Sequence, residues 1–152
     1  MVIFIPTALA YTIYIKIVRT LLDTSLFGNA GPFDDRNEKI TTYSYEPDDI
    51  CIPTNTKVVW INTDRISHTV TQENNVSLSE TFNSGLIRPH SNHTHIFTSI
   101  GNYSYYDKKE DFYGIVRVLP TKEACDTLFK NLKIAEHKEL ASKYPKNRPA
   151  IK

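Results

Sequence analysis

From Lys39 to Leu119 the chain alternates side-chain character with a period of two, and turn formers interrupt it every 8–12 residues. A period of two puts successive side chains on opposite faces of a strand, so such a stretch can bury one face only as part of a sheet. The strands read as Thr42–Tyr45, Ile50–Ile52, Lys57–Ile61, Ser67–Gln72, His93–Phe97, Tyr103–Tyr106 and Ile115–Leu119. Pro47-Asp48-Asp49, Pro53-Thr54-Asn55, Asn62-Thr63-Asp64, Ser84-Gly85 and Ile100-Gly101-Asn102 separate them. Short strands at this spacing, with no helix between, predict an antiparallel β-sandwich. Nine Tyr and seven Phe give it an aromatic core.

The two ends follow other rules. Residues 2–15 carry no charge, and Leu21 and Leu22 extend the apolar run past Lys16 and Arg19. With both cations snorkelling, residues 1–22 reach the length of about 20 that a bilayer demands, and the expectation is a membrane-anchor helix. Residues 23–38 hold turn formers and charge and read as a linker. In the tail, residues 120–152, Thr121 can cap a helix that Pro145 ends, with Leu128, Leu132, Ala135 and Leu140 along one stripe. Residues 121–152 carry eight Lys or Arg against four Asp or Glu. A solvated helix explains that charge as simply as an anionic partner does. The net charge of +1 gives no case for nucleic acid.

The body, residues 39–119, resembles the cupredoxins, the plastocyanin-like copper domains. The matching pieces stand in the family's order. They are Tyr45-Glu46-Pro47 with Ile50 and Ile52, Val58 to Asp64 followed by His68-Thr69-Val70-Thr71, and Phe82-Asn83-Ser84-Gly85 with Pro89. Gly101 to Tyr106 and Gly114 to Val118 complete the set. The resemblance implies a Greek-key sandwich and places a first copper-binding imidazole at His68. It would put Cys, His and Met in the loop after Tyr106, where this chain has Asp107, Glu110 and Tyr113. Cys51 and Cys125 fall in an early strand and in the tail, so neither supplies the thiolate. A blue centre needs that thiolate beside two imidazoles.

Two readings of the metal end stay open. His68, Asp107 and Glu110 offer one nitrogen and two carboxylates, a set for copper without thiolate or for a harder ion, with His90 and His93 as further candidates. His93 and His95 share the parity of Phe97, so they can share a metal or simply sit hydrogen-bonded on a strand. In the other reading, residues 107–111 are an ordinary charged hairpin tip and the fold has lost its metal. A membrane anchor followed by a metal-free sandwich is similar to subunit II of some quinol oxidases.

Catalytic patterns are absent from the sequence: Ser67 and His68 point to opposite strand faces, and no nucleophile motif occurs. Sequons at Asn75, Asn92 and Asn102 favour an extracytoplasmic body. The expectation is therefore a membrane-tethered, non-enzymatic copper-family domain with a remodelled site, copper its cofactor. The alternative is a metal-free accessory subunit of a larger membrane complex.

Overall fold

A computed structural model describes residues 11–22, 40–74, 78 and 80–143. Among the described residues, eight strands and one helix follow in order: β1 (Thr12–Leu22), β2 (Ile40–Glu46), β3 (Asp49–Pro53), β4 (Thr56–Asn62), β5 (Thr71–Gln72), β6 (Asn92–Phe97), β7 (Gly101–Tyr106), β8 (Tyr113–Leu119) and α1 (Lys122–Lys143). They build two four-stranded sheets, ordered β2-β1-β4-β6 and β3-β8-β7-β5. This is the two-sheet β-sandwich expected of the body. The sheets are mixed rather than wholly antiparallel, because β1 runs parallel to β4 and β3 parallel to β8.

The N-terminal expectation needs correction. Residues 12–22 are not a membrane helix but an eleven-residue strand in the middle of its sheet. The reason lies in the parity of the run. Ile15 and Ile17 are wholly buried, while Tyr14 and Lys16 face outward, which is the period of a strand and not of a helix. Thr12, Ile13, Tyr14, Ile15 and Val18 supply the β-branched and aromatic side chains that suit a pleated surface. The rest of the apolar run and the linker at 23–38 lie outside the described residues. Among the described residues, no helix is long and apolar enough to cross a membrane.

The core fills the gap between the sheets. Ile15, Ile17, Tyr45, Val58, Trp60 and Phe97 come from one sheet, and Ile52, Tyr103, Tyr105, Val116 and Val118 from the other. Trp60 sits at the centre, with Phe82, Phe97 and Tyr105 around its ring at 5.5–6.3 Å.

Helix α1 starts where expected. The Thr121 hydroxyl accepts the Ala124 amide at 3.2 Å, a cap on the first turn. A disulfide joins Cys51 of β3 to Cys125 and fastens that turn to the sandwich. Beyond it Leu128 is half-buried, while Leu132 and Leu140 are exposed.

Candidate functional site: a buried carboxylate–imidazole–carboxylate cluster

The site begins at the end of β4. Asn62 is buried, and its amide donates to the carbonyls of Ile66 (2.7 Å) and Ile87 (2.9 Å) while its Oδ1 accepts the Asp64 amide at 2.9 Å. This Asx turn folds the chain back within four residues, so Asp64 meets His68 across the bend. The His68 backbone is then pinned by paired hydrogen bonds with Ile87.

Asp107 arrives from the other sheet, at the end of β7. Its Oδ1 accepts the Thr69 amide (3.2 Å), the Thr69 hydroxyl (3.1 Å) and the Lys109 amide (3.0 Å). Its Oδ2 faces His68 Nδ1 at 2.5 Å. On the opposite edge of the ring, Asp64 Oδ2 lies 3.0 Å from His68 Nε2. Tyr43 and Phe112 cover the imidazole, with ring centroids at 5.3 and 5.6 Å. His68 is wholly buried, and Asp107 and Asp64 nearly so.

Both ring nitrogens thus lie against carboxylate oxygens, and only an imidazolium donates at both. The charge of Arg19 favours the ionised form of Asp64. Burial pushes the Asp64 carboxyl up, but the hydrogen bond from His68 and that from the Arg65 amide, with the charges of His68 and Arg19, outweigh it. The net effect holds Asp64 below the ordinary carboxylate range. The cluster also raises Tyr45, mainly through burial and then through the charge of Asp107; its hydroxyl donates to Thr69 O at 2.6 Å.

Of the residues picked from the sequence, the fold brings together His68 and Asp107. Glu110 and His90 are exposed; His90 adopts φ 60° in the turn before β6. His93 faces inward on β6, 6.0 Å from Trp60, its Nε2 buried without a partner. Burial, and then the charge of His95, lowers its pKa. His95 meets Glu80 at 3.3 Å. Among the described residues, no group of three or more His, Cys, Asp or Glu is arranged to hold a metal ion. The residue that sequence reasoning missed is Asp64, read as a strand breaker. Its signal was the spacing Asp64-x-x-x-His68 two residues after Asn62.

A type 1 copper set does not fit here. It needs two imidazoles and a thiolate. The two cysteines are bonded to each other, and both nitrogens of His68 are engaged by carboxylates.

No family model matches the chain. No curated protein matches it either. Solved structures do. A purple cupredoxin from Nitrosopumilus maritimus is 24% identical, with a TM-score of 0.47 over 70% of this chain and 98% of that one. Two Cu(I) forms of amicyanin variants, one of them reduced at pH 4, are each 22% identical, with TM-scores of 0.46 over 50% of this chain and 73% of theirs.

Proposed function

We propose that this chain is an extracytoplasmic cupredoxin-like domain in which a proton-bridged Asp64–His68–Asp107 cluster stands in place of a metal centre. It acts as a metal-free binding or accessory module rather than as an electron carrier. The carrying observation is that a carboxylate occupies each imidazole nitrogen within a wholly buried site. A metal would have to displace protons from His68 and break the hydrogen bonds that hold the loop after β7. The disulfide supports an oxidising compartment, since such bonds persist chiefly outside the cytosol. Exposed Asn92 within its sequon agrees with that placement.

The test is metal loading of the full chain. After incubation with Cu(II) and dialysis, copper bound through His68 should be well below one equivalent, and no intense band should appear near about 600 nm, the Cu–thiolate region. Stoichiometric copper that disappears in His68→Ala would overturn the proposal and restore the remodelled metal site.

A further inference from the structure

Strand β6 lies at the rim of its sheet, away from the cluster. In the order β2-β1-β4-β6 it pairs with β4 alone, and among the described residues no strand takes its other edge. A bare edge is a template for pairing with another chain, and proteins blunt it with charge, with Pro or with a covering group. Residues 92–97 contain no Asp, Glu, Lys, Arg or Pro. The outer face beside this edge is apolar as well. Ile61 stands opposite Asn92, Val59 opposite Thr94, and Tyr14 on the far side of Val59. Tyr14 is 58% exposed and Ile96 49% exposed, while Val59 and Ile61 are half-buried. Lys16 and Lys57 flank this strip.

At this place the chain carries the sequon Asn92-His93-Thr94. The alternation of β6 turns Asn92 and Thr94 outward, and both are exposed, whereas His93 faces the core. Asn92 is the first residue of the strand. His90 and Ser91 before it are exposed too, in the turn where His90 adopts φ 60°. The acceptor thus stands at an open strand end, with its hydroxyl partner two residues on and on the same face. The other two sequons are placed differently. Asn75 lies outside the described residues, and Asn102 sits on β7, between β8 and β5, with its partner Ser104 half-buried.

We propose that Asn92 carries an N-linked glycan that covers the free edge of β6 and the Tyr14–Val59–Ile61 strip. A bulky, solubilising group at this position does for the edge what charged side chains do elsewhere. The inference rests on the extracytoplasmic reading. The donor is an oligosaccharide joined to a lipid through phosphate or pyrophosphate, and a transferase acts on the chain. The Asn92 Nδ2 bonds to C1 of the first sugar, and the C1–O bond to phosphate breaks. The lipid phosphate leaves with the electron pair, and the Nδ2 proton passes to the transferase.

The test is peptide mass spectrometry of the full chain isolated from the cells that make it. The peptide holding Asn92 should be heavier by whole sugar residues. In a glycosylating secretory host, Asn92→Gln and Thr94→Ala should both lose that increment, and Thr94→Ser should keep it. Covering is read by nitration with tetranitromethane. Tyr14 should react several-fold more slowly in the glycosylated chain than in Asn92→Gln, while Tyr113, exposed on the other sheet, should react alike in both. An unmodified Asn92 overturns the inference. The state of Cys51 and Cys125 in the same sample then says what failed: an intact disulfide leaves the extracytoplasmic reading standing, and free thiols remove it too. Equal nitration of Tyr14 with the glycan present overturns the covering role.

Discussion

Asp107 and Glu110 lie three positions apart in one charged loop, yet their environments differ as much as any two carboxylates can. Asp107 is wholly buried and accepts from Thr69, Lys109 and His68; Glu110 is exposed. Asp107→Ala leaves the buried His68 ring and three donors, the Thr69 amide, the Thr69 hydroxyl and the Lys109 amide, short of a partner, and the expected loss is about 3–5 kcal/mol in urea unfolding. Glu110→Ala should stay within about 0.5 kcal/mol. The pH dependence follows from Asp64. Its carboxyl is held below its ordinary range in the folded chain, so its contribution is complete above the unfolded value of about 4 and drains away as pH falls through the lowered folded value. Urea midpoints should therefore fall in acid below about pH 4, and Asp64→Asn should flatten that acid limb.

The element that matters most is β1. It pairs with β2 on one side and β4 on the other, so β2 has no other strand partner in its sheet. A fragment of residues 37–120 keeps every strand that the turn pattern picks out, but it should not fold. Removal of β1 strips the inner face of Ile15 and Ile17 and leaves β2 unpaired. In the full chain, Ile15→Ala and Ile17→Ala should each cost about 2–5 kcal/mol, whereas outward-facing Tyr14→Ala should cost far less; chemical denaturation would rank them. Gly114 marks a second tight fit. It sits across from Tyr105, and a Cβ there would collide with that ring. Gly114→Ala should destabilise by about 1–3 kcal/mol, the usual range for overpacking.

At the scale of the whole molecule, the disulfide is the longest-range constraint. It closes 74 residues of chain, a loop whose loss of unfolded-state entropy corresponds to about 4 kcal/mol. Reduction should lower the unfolding free energy by an amount of that order and should free α1 from the sandwich; helix-specific hydrogen exchange would report the release. The sequence by itself determined the strands of the body apart from Ser67–Gln72, of which only Thr71–Gln72 is strand, because alternation and turn chemistry are local, and it placed the helix through Thr121 and the apolar run after it. It also singled out His68 and Asp107, whose positions follow from motifs in fixed order along the chain. Only the tertiary structure decided that residues 12–22 are a strand. An apolar segment can meet its burial needs in a bilayer or between two strands, and what settles the matter is the presence of β2 and β4 with free edges on either side. The role of Asp64 was decided in the same way. A carboxylate in a turn is ordinarily solvated, and this one becomes a partner of His68 only because Asn62 folds the loop inward and Asp107 comes from the opposite sheet to hold the imidazole's other nitrogen.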